Sequence, residues 1–309
     1  MMLLGPDGAW VSVPSSRVTV MDSGDILVTR SGAMTVIEGA LTASRELTAA
    51  GHAALREYGL ISESRSGEEA DACFPPLYSR WEAERILAVL QPHYATPDEG
   101  SHLLEVGAGQ GRLALHMLKA GHRLDAVDIA EEALDRLWCK AAGDGLSARL
   151  STFVADAANF ARPDHYAFAY CAANSLRRLG SRSRVQRHLR LIHRSLRTGG
   201  AYLVHVGLST HPGSASWLGA DGRRVDWTVE ESDPRTSETI ERMRMTGTGS
   251  PAGPYAVRVQ VLLHGADLAA MARAAGFGIG ALWEEDFTRA RVNELASAKG
   301  NVWVLLQRR

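Results

Sequence analysis

Cysteine is scarce and lysine nearly absent in this 309-residue chain, no sign of charge prevails, and no run of about 20 apolar residues occurs. Each absence excludes something. Cys73, Cys139 and Cys171 lie far apart, are odd in number and have no metal-ligand spacing, which argues against a disulfide scaffold or structural zinc. The formal charge of −1 is spread along the chain, so no field exists to hold a nucleic-acid backbone or an anionic membrane. Lysine occurs only at 119, 140 and 299, a bias towards arginine that reflects genome composition before any recognition. The lack of a long apolar stretch speaks against a membrane span, and Met1–Trp10 lacks the basic start of a secretion signal, so a cytoplasmic protein is expected.

What is present is organised in sections. From Trp10 to Ile37 the chain reads as short β segments (Trp10–Val13, Arg17–Met21, Ile26–Thr29) separated by turn residues. Leu41–Leu60 has helical character with Thr42 or Ser44 as N-cap, and 62–71 reads as a linker. After Pro75 and Pro76, apolar residues at Trp81, Ile86, Leu87 and Leu90 suit an amphipathic helix. Candidate strands then follow at Leu103–Val106, Leu124–Val127, Ser151–Val154, Tyr166–Ala172 and Ala201–Val206. Helical patterns lie between them around Leu113–Lys119, Ala133–Lys140 and Val185–Leu196. The expected fold is α/β: a doubly wound, Rossmann-like sheet. A small N-terminal β/α appendage (1–65) precedes the main domain (75–309). The latter is interrupted at 207–264 by an antiparallel insertion read as a substrate cover. A helix at Ala266–Ala275 and strands at Gly280–Trp283 and Val302–Leu306 close the chain, the short final connection implying one antiparallel strand.

Leu103-Leu104-Glu105-Val106-Gly107-Ala108-Gly109-Gln110-Gly111-Arg112 runs an apolar strand into spaced glycines and then a helix. Glycine permits positive φ and removes the Cβ, so the turn can press its backbone on a ligand at the head of the sheet; a glycine turn without ligand is the plainer alternative. The spacing is GxGxG, with Arg112 where the GxGxxG of dinucleotide sites needs its last glycine. Glu105 just before the loop would repel a pyrophosphate but suits a cationic methionyl group. A sulfonium nucleotide is therefore favoured over NAD. Asp128 ends the next strand, where a carboxylate can accept both ribose hydroxyls, although with Glu131 it could equally form a helix capping box. Asp156, after Phe153-Val154-Ala155, can accept an adenine amino hydrogen while the amide of Ala157 reaches a ring nitrogen; a turn-capping role is the alternative.

With these motifs and Leu196-Arg197-Thr198-Gly199-Gly200, the chain from about Pro75 onwards resembles the class I (Rossmann-like) S-adenosylmethionine-dependent methyltransferases. The resemblance implies a seven-stranded sheet with an antiparallel last hairpin. It also implies S-adenosylmethionine as cofactor, S-adenosylhomocysteine as product, and cofactor contacts at Glu105, Gly107, Ala108, Gly109, Asp128, Ile129, Asp156 and Ala157. Asn174, in Asn174-Ser175-Leu176, corresponds to the stretch bordering the methyl-transfer site in small-molecule members. Ala167 stands where an acidic residue is common and Thr198 where proline is usual, and no Asn-Pro-Pro-Tyr or Asp-Pro-Pro-Tyr stretch of the base-methylating enzymes is present.

Methyl transfer needs alignment and exclusion of water more than a triad, with a base only to take the acceptor's proton. His205, His211 and Tyr255 are the catalytic candidates, with Glu230 and Arg258 near the acceptor; each can also be ordinary core or surface. Tyr78 and Arg80 precede the first helix of the domain, where related enzymes close over the methionine carboxylate, or they pack that helix. Residues 1–65 serve dimerisation, a lid, or docking of a peptide substrate. The expected acceptor is a nitrogen or oxygen of a small metabolite. A ribosomal peptide, a non-catalytic nucleotide-binding role and a dinucleotide oxidoreductase are the competing readings. No metal, nucleic acid or membrane partner is expected, and a homodimer is possible.

Overall fold

The structure, a computed structural model, describes residues 2–4, 10–12, 18–30, 33–44, 46–57, 74, 76–93, 102–209, 213–218, 222–233, 237–246, 255–290 and 294–309. In chain order the elements are β1 (Met2–Leu4), β2 (Trp10–Ser12), β3 (Val18–Val20), β4 (Ile26–Arg30), β5 (Ala33–Ile37), α1 (Ala49–Glu57), α2 (Pro76–Leu90), β6 (His102–Val106), α3 (Ala114–Lys119), β7 (Arg123–Asp128), α4 (Glu131–Gly143), β8 (Leu150–Val154) and β9 (Tyr166–Cys171). They continue with α5 (Arg182–Ser195), β10 (Leu196–Leu208), β11 (Gly213–Leu218), β12 (Arg224–Asp233), β13 (Glu238–Thr246), β14 (Tyr255–Val261), α6 (Gly265–Ala274), β15 (Phe277–Glu284) and β16 (Gly300–Arg308). The chain divides into two compact units. One takes the described residues of Met1–Arg65, Thr210–Trp217 and Arg223–Leu262; the other takes those of Ser66–Ser209, Leu218–Gly222 and Leu263–Arg309.

The first unit holds a β1-β2 hairpin, an antiparallel β3-β4-β5 sheet and an antiparallel β11-β12-β13-β14 sheet. Val18, Ile26, Ala40, Leu41, Leu47 and Leu55 form a small core around β3, β4 and α1. The helix expected from Leu41 begins only at Ala49. Thr42 closes a tight turn instead, its Oγ1 accepting the Glu46 amide at 3.1 Å and its own amide donating to the Glu46 carbonyl at 2.8 Å. The cap is Thr48, whose Oγ1 accepts the Gly51 amide at 3.0 Å. In the larger sheet Glu241 is buried yet doubly hydrogen-bonded, by Trp227 Nε1 at 3.1 Å and Gln260 Nε2 at 2.9 Å.

The second unit is built on a seven-stranded sheet of order β15-β16-β10-β9-β6-β7-β8. Strands β6 to β10 pair in parallel, whereas β16 lies antiparallel to both β10 and β15. This is the doubly wound, Rossmann-like sheet with an antiparallel strand that the sequence implied. The parallel strands are apolar on both faces, as burial between two helix layers demands. Leu103, Phe168, Tyr170, Ala201 and Leu203 meet α2, α3 and α4 through Ile86, Met117, Leu118, Leu134 and Leu137. On the other face Tyr202 meets His188 of α5, and α5 contacts α6. No helix of the described residues is long and apolar enough to cross a membrane.

The approach of α4 to the turn after β6 is so close that a Cβ on Gly111 would lie 2.3 Å from Leu137 Cδ1, at φ +88°. Gly111→Ala should therefore cost about 2–4 kcal/mol of stability, from overpacking plus a left-handed backbone, and lower the thermal midpoint. A variant as stable as the parent would refute this reading of the packing.

Candidate active site

The parallel strands end together, and the loops that leave their carboxyl ends define the crevice in which open α/β sheets hold ligands. The chain turns sharply after β6. Gly107 and Ala108 both donate to the Val127 carbonyl, at 2.8 and 3.2 Å, and Gly109 donates to Asp128 Oδ2 at 2.8 Å. Gly107, Gly109 and Gly111 have φ of +72°, +53° and +88°, which explains glycine at all three. Their surroundings differ. A Cβ on Gly107 would strike Ser175 at 2.9 Å, whereas nothing stands within 4 Å of one on Gly109, so the loop is packed behind and open at its tip.

Asp128 is not the cap of α4. The N-cap is Ala130, and Asp128 Oδ1 accepts the Ala130 amide at 3.0 Å while Oδ2 serves Gly109. A carboxylate has about four acceptor positions, so each oxygen keeps one for a further donor, matching a pair of hydroxyls. Ile129 beside it is about half exposed, an apolar surface next to the carboxylate. Glu105 is buried at the end of β6, with Oε2 accepting the Tyr170 hydroxyl at 2.8 Å. Burial and the neighbouring Glu105 hold the Tyr170 phenol well above its ordinary range, so it stays a donor.

At the end of β8, Asp156 is engaged on both oxygens: Ala158 donates to Oδ1 at 2.9 Å and Arg184 NH2 pairs with Oδ2 at 2.5 Å. The next carbonyl, Ala157, accepts from His188 Nδ1 at 2.8 Å. This fixes the imidazole tautomer, so His188 Nε2 accepts from Tyr202 Oη at 2.8 Å. Asn174 closes the β9 end. It and Ala173 hold successive left-handed conformations (φ +59° and +50°), and Asn174 Oδ1 accepts the Gly207 amide. Ser209, after β10, is also left-handed at φ +52°. Backbone strain at non-glycine residues thus gathers on the edge where the glycine loop lies.

Tyr78 and Arg80 both lie on α2. Tyr78 is stacked between Phe74 (centroids 5.7 Å apart) and Trp81 (5.5 Å). Its hydroxyl is raised above the ordinary phenol range by burial first, then by Glu82. Arg80 pairs with Glu84 at 2.9 Å on the exposed side of the helix. The arginine that packs between α2 and the glycine loop is Arg112, its side chain 10% exposed. It lies 2.5 Å from Glu82 and its guanidinium carbon is 4.3 Å from the Phe74 ring centroid, tying α2 to the glycine loop. Burial raises the Glu82 carboxyl, and Arg112 pulls it back. Arg112 was noticeable in the sequence only as a missing glycine, and Glu82 only as a charge within an apolar helix face.

Of the catalytic candidates, His205 is buried on β10 beside Trp303, its ring centroid 4.9 Å away. Burial, reinforced by Arg112, pushes its imidazole down to about 4, so it is neutral at ordinary pH. Tyr255 begins β14 and Arg258 lies within it, Glu230 is in β12, and their side chains, like all of His211, lie outside the described residues. One group of metal-ligating atoms occurs among the described residues, His102, Asp125 and His165. It sits at the amino ends of the strands, away from the glycine loop, with Asp125 Oδ2 already taken by Arg162 (2.5 Å) and Tyr166 (2.8 Å).

His188 is also pushed down to about 4 by burial. A histidine whose folded pKa lies below its unfolded value of 6.5 contributes full stability above pH 6.5 and loses it as pH falls towards 4. The denaturation midpoint should therefore drop between pH 7 and 4.5, each buried histidine accounting for on the order of 2 kcal/mol. His188→Gln should flatten that slope; an unchanged slope would show that His188 does not titrate in this window.

Comparison with known proteins agrees with this architecture. Residues 103–200 match the family model described as a methyltransferase domain. Among solved structures, the CcbJ methyltransferase of Streptomyces caelestis is 21% identical, with a TM-score of 0.62 over 77% of this chain and 92% of that one. CalS10 of Micromonospora echinaspora, an amino pentose methyltransferase, is 14% identical with a TM-score of 0.57, covering 85% and 98%. KedS8, a sugar N-methyltransferase from a Streptoalloteichus species, is 19% identical with a TM-score of 0.54, covering 75% and 88%. No curated protein matches. Over residues 103–200 the chain is thus similar to a methyltransferase domain, and its fold is the Rossmann-like one of these solved methyltransferases.

Proposed function

We propose that the site at the carboxyl ends of β6, β7 and β8 binds S-adenosylmethionine and that the enzyme methylates a nitrogen or oxygen of a small metabolite in a natural-product pathway. The observation that carries the reading is Asp128, whose two oxygens are fixed by the Gly109 and Ala130 amides with acceptor capacity to spare. The residues fit the group. The open tip at Gly109 leaves room for backbone contact, and Asp128 suits a ribose diol. Ile129 offers an apolar surface to a base, and Glu105 supplies negative charge beside the loop. Asp156 and Ala157 complete the adenine end, with Arg184 holding the Asp156 carboxylate in place.

S-adenosylmethionine, when bound, supplies a methyl carbon made electrophilic by its sulfonium. The protein's own work is then positioning and desolvation. The aromatic residues Tyr78, Trp81 and Phe287 exclude water near Arg112, and Asn174 shapes the loop after β9. His205, kept neutral by burial, is able to take a proton from a hydroxyl acceptor as that acceptor is alkylated. Strands β11 to β14 follow β10 directly in sequence. Solved structures of like fold whose names state sugar substrates support a small hydroxylated or amino acceptor.

Calorimetric titration tests the reading. S-adenosylhomocysteine should bind one to one, and NADH should not. Asp128→Ala should weaken that binding by about a hundredfold, the loss of two hydrogen bonds to a charged group, while His205→Ala should change it less than about threefold. Binding of NADH, or of neither nucleotide, would defeat the proposal. Equal losses in the two variants would remove Asp128 from the ribose.

A further inference from the structure

Among the described residues, three buried polar atoms near this site have no hydrogen-bond partner: Nδ1 and Nε2 of His205 and Nε1 of Trp303. Their two residues are directly paired across β10 and β16, with rings tilted at 39°. His205 shares the sheet face of Leu203, which pairs with Tyr170, the partner of Glu105; it lies one step nearer the carboxyl edge. Leaving such groups unpaired is costly, and the cost persists in an enzyme when something else satisfies them in the working state.

Phe287 covers the Trp303 ring that packs on His205. Its ring stacks on Trp303 at 4.6 Å and 27° and meets Trp81 edge-on at 6.0 Å. Phe287 holds a left-handed conformation, φ +60°, in a short turn closed by Glu284 N to Thr288 O at 2.9 Å. A bulky residue pays for that conformation, so the cover over Trp303 is strained and its departure is correspondingly cheap.

The orphaned atoms also define what fits. Neutral His205 presents one N–H and one bare nitrogen, and Trp303 presents one N–H, a set of two donors and one acceptor. An ammonium group has donors only and would leave both N–H groups unsatisfied. A hydroxyl both accepts and donates. Because the two imidazole nitrogens point in divergent directions, a single hydroxyl cannot serve both.

We infer that His205 and Trp303 form the floor of the acceptor site, that Phe287 is its displaceable cover, and that the ligand is a neutral ring bearing at least two hydroxyls, of saccharide type. Its oxygens meet the three orphaned atoms and its carbon face lies against the half-buried ring of Trp81, where Phe287 packs while the site is covered. This rests on the methyltransferase reading, which supplies the reason for an acceptor at this edge.

The test uses the full chain with 15N-labelled tryptophan, saturated with S-adenosylhomocysteine, and follows the Trp303 indole N–H resonance, assigned with Trp303→Phe. Methyl β-D-glucopyranoside should shift it saturably, and ethylammonium chloride should not. His205→Leu should weaken the glucoside response at least about tenfold while leaving the thermal midpoint equal to or above the parent's, since orphaned polar atoms are removed. Phe287→Ala should tighten it several-fold. A response to ethylammonium alone, no response to either probe, or a lowered midpoint with unchanged glucoside affinity in His205→Leu would each overturn the inference. Failure of S-adenosylhomocysteine to bind the parent chain would remove the methyltransferase reading and this inference with it, whereas failure of the glucoside alone leaves the former standing.

Discussion

The carboxyl end of the central sheet depends on one constraint: the turn after β6 must fold back onto β7 without leaving its amides bare. Three consecutive residues solve this by donating to Val127 and Asp128. Because Gly109 is held by a side chain and not by the strand backbone, the loop's tip is fixed while its outer surface stays clear. The same carboxylate then governs the start of α4 through Ala130. One acidic residue thus sets both the loop and the helix entry, with acceptor positions left on each oxygen.

Around that turn the polar interior is arranged as closed pairs. Glu105 with Tyr170 and Glu82 with Arg112 each neutralise or satisfy a group that burial would otherwise penalise, while Asp156 with Arg184 forms a partly exposed pair at the rim. Breaking a buried pair exposes an uncompensated charge, which is why such pairs serve as rigid supports even where their net contribution to stability is small. His188 belongs to this class, spanning α5 to Tyr202 and to the Ala157 carbonyl. His205 does not: of two histidines whose basicity burial lowers alike, one is hydrogen-bonded on both ring nitrogens and the other, among the described residues, on neither.

The alternation of Leu103–Val106, Leu124–Val127 and the helical stretches between them was readable because parallel strands are long apolar runs and glycine marks their exits. The left-handed turn at Gly107, Gly109 and Gly111 and the strand end at Asp128 were therefore visible in the sequence. Less visible were features set by distant packing. The start of α1 shifted from Thr42 to Thr48 because a local turn competes for the same side chain. Arg80 looked suited to a carboxylate, yet helical geometry turns it towards Glu84 and solvent, and Arg112 occupies the interior instead. The pairing of His205 with Trp303 depends on a register between residues about a hundred positions apart, which no local pattern encodes.

That register has a consequence for how the molecule is made. Strand β16 is inserted between β10 and β15, so the edge of β10 remains without its neighbour until residues 300–308 have been synthesised. During that interval the nascent sheet presents an apolar, hydrogen-bond-hungry strand, the kind of edge on which chains aggregate or recruit chaperones. The final strand acts as a latch. It seals the sheet and brings Trp303 onto His205 in the same step, so that the interior of the sheet is completed only when the last strand docks.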